Sequence, residues 1–282
     1  MPLTRIAPTP SGYLHAGNAI NFLITAEVAR AVGAGIRLRI DDLDAERMRP
    51  PYVDDIFASL RWLGIAWSEG PRDRMEHERM HSQLSRLARY EECLHVLKEQ
   101  GDLYACSCSR AGQKRSACDC RKRERPFNAP NVAWRLHLPS DAVVRVEPIH
   151  GEAQWLSPSR LMSDPVLRQR AEHGSRPAYQ LASVCDDADQ GVTHIVRGED
   201  LLASTACQLY LAERLGLEAF RRVRFLHHPL VTDATGAKLS KSEGAASLKA
   251  MRESGQWPDA LREQALRLLD GMRAGTAQSS VP

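Results

Sequence analysis

The first forty residues constrain the fold most. Leu3 to Ala7 is a short apolar run, and Pro8 and Pro10 stiffen the loop that follows. From about Gly17 the residues Ile20, Leu23, Ile24, Val28 and Val32 recur at helical spacing. Gly33 and Gly35 close that helix, and Ile36, Leu38 and Ile40 then alternate with Arg37, Arg39 and Asp41 as a second strand. A strand–helix–strand unit implies a crossover between parallel strands, so the N-terminus predicts an α/β fold with nucleotide-binding potential.

Apolar periodicity predicts further helices over 52–63 and 78–100, the second with Leu84, Leu87, Cys93, Leu94 and Leu97 along one face. The pattern then breaks into a Cys-rich basic stretch, 104–125, and a Pro-rich region of short strands up to about Pro165. Regular α/β character is expected to resume with a helix near 166–172, an extended segment Ala178 to Val184, a strand Val192 to Val196, a helix over 203–215 and a strand Val223 to Leu226. A polar loop, Thr232 to Ala246, precedes a helix over roughly 258–272 and a tail from Ala274 that should fray. The expected organisation is a catalytic domain in two halves, 1–75 and 176–245, an insertion over 76–175, and a C-terminal helix and tail in 246–282.

The 282 residues suit one large domain with an insertion, or two compact ones. A formal net charge of +3 excludes a molecule that binds polyanions over its whole surface, so contact with nucleic acid would depend on local patches. The longest apolar run, Ala19 to Ala29, is interrupted by Asn21, Thr25 and Glu27, and no basic leader precedes it. No membrane span and a cytoplasmic location are expected, and the odd count of seven cysteines points to a reducing compartment. Cys93, Cys185 and Cys207 read as small buried hydrophobes, and Trp62, Trp67 and Tyr104 as core residues.

Two segments carry chemistry. The loop Arg5-Ile-Ala-Pro-Thr-Pro-Ser-Gly-Tyr-Leu-His15-Ala-Gly17-Asn18 delivers His15 and Asn18 to a helix N-terminus, where free N–H groups and the helix dipole favour an anion such as phosphate. Gly17 permits close approach of a nucleotide. Far downstream, Lys238-Leu-Ser240-Lys241-Ser stands out because only six of the 38 basic residues are lysines. A compact ammonium on a long stem suits a triphosphate whose charge shifts to a leaving pyrophosphate.

The H-A-G-N and K-L-S-K-S pair, about 220 residues apart with an α/β frame between, resembles the ATP-binding motifs of class I aminoacyl-tRNA synthetases. Arg5-Ile-Ala-Pro-Thr-Pro-Ser-Gly, Arg39-Ile-Asp-Asp-Leu-Asp44, Tyr179-Gln-Leu-Ala-Ser-Val-Cys-Asp-Asp187 and Gly191-Val-Thr-His-Ile-Val-Arg197-Gly-Glu-Asp-Leu201 are similar to the glutamyl-tRNA synthetase branch. Because 40 residues follow Ser242, the resemblance favours the branch's short paralogues, the glutamyl-queuosine tRNA(Asp) synthetases, which lack an anticodon-binding domain. It implies a Rossmann-like parallel sheet carrying an inserted, zinc-containing acceptor-type subdomain. It also implies that L-glutamate is activated with ATP and Mg²⁺ and then joined to the queuosine base at the wobble position of tRNA(Asp). A monomer is expected.

By the same resemblance, His15, Asn18, Lys238 and Lys241 act in catalysis and, with Gly17 and Ser240, bind ATP. Arg5, Ile6, Ala7, Pro8, Thr9, Asp41, Tyr179 and Arg197 bind glutamate, with Arg5 and Arg197 on its carboxylates. Thr9 stands where the family usually has Ser. Asp41 stands where it has Glu for the substrate ammonium, one methylene shorter; the alternative is that it caps a strand end or pairs with Arg39.

Cys106, Cys108, Cys118 and Cys120 have a C-x-C…C-x-C spacing that suits a structural zinc ion with four sulfur ligands. Ser116 occupies the position of the family's tyrosine ligand, and Cys118 is expected to replace it. A three-cysteine site completed by water and a metal-free loop are the alternatives. Seven basic residues (Arg110, Lys114, Arg115, Arg121, Lys122, Arg123 and Arg125) against Asp119 and Glu124 give +5 over residues 110–125, a candidate RNA contact. Competing readings are a minimal glutamyl-tRNA synthetase charging a tRNA 3′ end and a catalytically silent RNA-binding paralogue.

Overall fold

The computed structural model describes residues 1–44, 46–108, 118–231 and 247–278, the side chains of 274–278 excepted. The N-terminal unit forms as expected. Strand β1 (Leu3–Ile6) leads through the proline loop into helix α1 (Ala16–Val32) and strand β2 (Gly35–Leu38), which pairs with β1 in parallel, Arg5 opposite Arg37. Gly33 ends α1 at φ 64°, a left-handed conformation that costs glycine nothing, with its N–H donated to the Ala29 carbonyl.

Beyond this unit come helices α2 (Pro50–Trp62) and α3 (Leu87–Glu99) and strands β3 (Leu103–Cys106), β4 (Ala133–Leu136), β5 (Val144–Pro148), β6 (Gln154–Leu156) and β7 (Val166–Arg168). Then follow α4 (Tyr179–Asp189), β8 (His194–Gly198), α5 (Leu202–Arg214), β9 (Arg224–His228), α6 (Leu248–Glu253) and α7 (Asp259–Gln278), with short helical turns between. The main sheet has the order β2-β1-β8-β9-β5-β6, parallel except for β6, and β3-β4-β7 form a separate antiparallel sheet. β5 and β6 fall inside the expected insertion yet extend the main sheet, Glu147 opposite Arg224.

Two apolar clusters hold this frame. One joins α1, β1, β2, α2 and α7 around Ile20, Ile24, Leu38, Ile56 and Leu60; the other joins α3, α4, α5 and β9 around Leu97, Leu181, Leu211 and Phe225. Each of these side chains contributes about 1.5–3 kcal/mol when removed from water. Cys93, Cys185, Cys207 and Trp67 are buried as expected, whereas Trp62 and Tyr104 are half-buried. Among the described residues, no helix is long and apolar enough to cross a membrane.

Four local expectations are corrected. Residues 166–168 are a strand, because Val166 and Arg168 pair with β4, and only a single turn, Ala171–His173, is helical beyond it. Ala178–Val184 is not extended but opens helix α4. Its residues Leu181 to Asp187 are all buried, so no polar face marks a helical period. The expected helix 78–100 is broken at Ser82 (ψ 135°), whose hydroxyl accepts the Leu84 N–H, and Leu84 lies exposed off the apolar face. The last helix continues past 272 to Gln278, through residues expected to fray.

Candidate active site

The carboxyl ends of β1, β2, β8 and β9 meet at a cavity of 770 Å³, where open parallel sheets place their ligands. Ala7, Pro8, Thr9, His15, Gly17 and Asn18 line it from the first loop and the start of α1. Arg5, Asp41, Tyr179 and Arg197 line it from the sheet and α4. Ten of the expected site residues are thus brought together. Ile6 does not line the cavity; its side chain belongs to the apolar core behind β1. Lys238, Ser240 and Lys241 lie outside the described residues. The chain on either side of them is anchored at the cavity: Val231 lines it, Ser247 bridges to His15, and the Leu248 N–H donates to the Leu14 carbonyl at 2.8 Å.

At the helix end, the Asn18 carboxamide oxygen accepts the His15 N–H at 3.1 Å, and the Ala16 and Gly17 N–H groups open the first turn, which has no intrahelical acceptor for them. That end of α1 carries no acidic residue in its first turn, so its partial positive charge is available to an anion. Asn21, one turn on, donates to His228 Nε2 at 3.0 Å while His228 Nδ1 donates to the Pro229 carbonyl at 2.8 Å. That pair of bonds fixes a neutral imidazole with its proton on Nδ1, and burial keeps its pKa below the usual histidine value.

The opposite charges are set by three arginines and a tandem acid. Asp187, fully buried on α4, accepts from Arg5 Nε at 3.3 Å and from Arg39 Nη1 at 2.5 Å. Burial raises the Asp187 pKa, but the Arg39 and Arg5 guanidiniums more than offset this and hold it below the usual carboxylate value. Arg39 Nε also reaches Asp41 at 2.7 Å, so the pairing open to Asp41 in the sequence is present. Burial pushes the Asp41 carboxyl up to about 6, against the opposing effect of Arg39.

Arg197 differs from both other arginines. It is buried at 2 % exposure and has no carboxylate within 4 Å among the described residues. Its Nη1 donates to Gln208 at 2.9 Å, while Nε and Nη2 have no hydrogen-bond partner among those residues. Burial lowers its pKa to about 10, which leaves it protonated at pH 7. The Ser183 hydroxyl, on the same cavity wall, is likewise buried and unpartnered. Buried donors are normally satisfied, so this wall is built to receive an acceptor-rich anion.

Asp187, Ser183 and Gln208 carry much of this arrangement and have no role assigned from sequence, and Arg39 has one only as a possible partner of Asp41. The available signal was the tandem acid Asp186-Asp187 directly after the uncharged stretch Leu181 to Cys185.

The catalytic-domain family described as tRNA synthetases class I (E and Q) matches residues 3–129 and 122–279. The chain belongs to this family. It is 34% identical to glutamate–tRNA ligase 2 of Parvibaculum lavamentivorans over 94% of this chain, and it spans only 54% of that protein, about half its length. It is also 34% identical to the glutamyl-Q tRNA(Asp) synthetase of Rhodobacter capsulatus, over 92% of this chain and 98% of that one. The fold superposes on a glutamate-tRNA synthetase from Elizabethkingia anophelis with a TM-score of 0.67 at 22% identity, over 90% of this chain and 54% of the other.

Away from the cavity, this synthetase-family chain gathers four thiols. Cys106 ends β3, and the sulfurs of Cys106, Cys108, Cys118 and Cys120 all lie within 4.8 Å of one another. The closest approaches are 3.7 Å for Cys106 to Cys118 and for Cys108 to Cys118, and 3.4 Å for Cys108 to Cys120. A tetrahedral ion with metal–sulfur bonds of about 2.3 Å sets sulfurs about 3.8 Å apart, so the group is able to hold a metal ion. Of the basic patch beside it, Arg110, Lys114 and Arg115 lie outside the described residues; Arg121 and Lys122 are exposed, and Arg123 pairs with Asp119 at 2.7 Å.

Proposed function

We propose that the protein activates L-glutamate with ATP, forming glutamyl-adenylate and pyrophosphate, and transfers the glutamyl group to the queuosine base at the wobble position of tRNA(Asp). The observation that carries the first half is the buried Arg197 guanidinium, with no carboxylate within 4 Å among the described residues, on the wall of a cavity that also contains an anion-binding helix N-terminus. The second half is supported by the alignment with the Rhodobacter capsulatus glutamyl-Q tRNA(Asp) synthetase over nearly all of that protein.

In this reading Arg5 and Arg197 hold the substrate carboxylates, Asp41 accepts from its ammonium group and Tyr179 fixes it by its hydroxyl. The loop through Ala7, Pro8 and Thr9 shapes the pocket. One oxygen of the glutamate α-carboxylate attacks the α-phosphorus of ATP, and the bond to the β-phosphate oxygen breaks to release pyrophosphate. His15, Gly17 and Asn18, with Lys238, Ser240 and Lys241, contact the phosphates. No side-chain nucleophile is needed; positioning and charge stabilisation supply the rate. Mg²⁺ bound with ATP neutralises the leaving pyrophosphate.

The four cysteines hold one structural Zn²⁺. Substituting Cys118→Ser should leave purified protein with well under one zinc per chain by elemental analysis; full occupancy would assign the fourth ligand elsewhere. The protein works in the cytoplasm as a monomer.

The test uses labelled glutamate, ATP and three tRNAs: tRNA(Asp) with queuosine, the same tRNA without it, and tRNA(Glu). Label should appear only on the first and should persist when its terminal adenosine is removed. A second reading, charging of a tRNA 3′ end, is favoured by the equal identity to a glutamate–tRNA ligase. It predicts label on tRNA(Glu) that is lost with the terminal adenosine.

A further inference from the structure

The three cavity guanidiniums are backed in two ways. Arg5 and Arg39 share Asp187, and Arg39 also reaches Asp41, so their charge is largely neutralised within the wall. Arg197 is backed by an amide: its Nη1 donates to Gln208 Oε1 at 2.9 Å, and the Phe225 ring lies 5.4 Å from its guanidinium carbon. Gln208 is fully buried on α5, where every residue from Ser204 to Ala212 is buried. On that helix Thr205 bonds His227 at 2.8 Å, which leaves little freedom to repack.

This arrangement is costly for stability. Among the described residues, Gln208 Nε2 has no hydrogen-bond partner, and neither do Arg197 Nε and Nη2. A glutamate at 208 has nearly the same shape, would place a carboxylate on the guanidinium and would remove the orphaned amide donor. On folding grounds alone it is the better residue, because an unpaired buried charge and unsatisfied buried donors both destabilise. The sequence nevertheless has glutamine there.

We infer that Gln208 is a specificity-determining positioning residue: it fixes Arg197 through a neutral acceptor, so that the guanidinium's full charge is kept for a substrate carboxylate and glutamate is preferred to glutamine. The inference rests on the glutamate-activating reading above. A carboxylate at 208 would satisfy Arg197 from behind and leave the cavity wall without an unopposed cation.

The test is glutamate-dependent ATP–pyrophosphate exchange, with thermal stability measured in parallel, for wild type, Gln208→Glu and Gln208→Met. Gln208→Glu should raise the glutamate KM at least about 30-fold, the scale expected when a buried charge partner is lost. Its ATP KM should stay within about threefold of wild type, because only the amino-acid subsite changes. Its midpoint of unfolding should not fall below that of wild type, and its preference for glutamate over glutamine should shrink. Gln208→Met, which keeps Arg197 unopposed, should raise the glutamate KM by less than about tenfold.

A Gln208→Glu protein with wild-type glutamate KM, or one less stable than wild type, overturns the inference, as does a Gln208→Met protein impaired as badly as Gln208→Glu. A wild type that neither exchanges with glutamate nor is stabilised by it overturns the glutamate reading and the inference together. A glutamate-responsive wild type with an unaffected Gln208→Glu variant overturns the inference alone.

Discussion

Asp186 and Asp187 are neighbours on α4, and the regions they face differ in how their polar groups are satisfied. Asp186 points to the scaffold, where Gln83 Nε2 at 2.7 Å, Arg86 Nε at 2.7 Å and the Tyr90 hydroxyl at 2.8 Å all donate to it. Asp187 points to the cavity side. There Arg39 Nη2, Arg197 Nε and Nη2, and the Ser183 hydroxyl have no hydrogen-bond partner among the described residues. Arg39 Nε, 3.8 Å from Asp186, joins the two networks, yet the donors left without a partner lie on the cavity side. The finished side stabilises the fold, and the unfinished side retains binding capacity that a ligand would complete.

The comparison predicts that substitutions on the two sides fail in different ways. Asp186→Ala should cost about 2–5 kcal/mol of stability, because it strands the buried Tyr90 hydroxyl and Gln83 amide, while Arg86 keeps Asp189 as a partner; denaturant unfolding measures it. A loss below about 1 kcal/mol would mean the network is not what holds α3 to α4.

Arg197→Ala should do the reverse: glutamate-dependent exchange falls by about 10²–10³, while the unfolding midpoint changes little or rises, since an unpaired buried charge has been removed.

Asp41 sharpens the contrast through pH. Its folded-state pKa is raised to about 6, so folding favours its protonated form. Its contribution to stability is therefore fullest below the ordinary carboxylate range and is lost as pH rises through about 6. Binding runs the other way, because only the carboxylate accepts an ammonium group. The glutamate kcat/KM should fall about tenfold per pH unit below 6. Asp41→Asn should flatten that profile; an unchanged profile would remove Asp41 from the ammonium site. Tyr179→Phe should have the smallest effect, a rise in glutamate KM of about three- to tenfold with kcat unchanged, since the side chain is 42 % exposed and contributes one hydroxyl.

The sequence made one half of this contrast readable. β1, α1 and β2 carry their periods and stops within a few residues, and the loop from Arg5 to Asn18 announces an anion site because its polar groups precede a helix. Helix α4 was misread because Leu181 to Asp187 are buried on every side, which erases the polar face that helical periodicity needs. The partners of Asp186 and Asp187 are invisible for a different reason. Gln83 meets Asp186 across 103 positions and Arg39 meets Asp187 across 148, and no local pattern encodes such a pairing. The four cysteines were readable as a group because their chemistry is specific even where spacing is unusual.

The unfinished wall of the cavity is proposed above as a carboxylate site serving adenylate formation. ATP–pyrophosphate exchange without tRNA, run with glutamate and with glutamine, tests it most directly. Exchange is expected with glutamate, with a preference over glutamine of at least about 10² in kcat/KM. Exchange with neither amino acid, or with both equally, would contradict it.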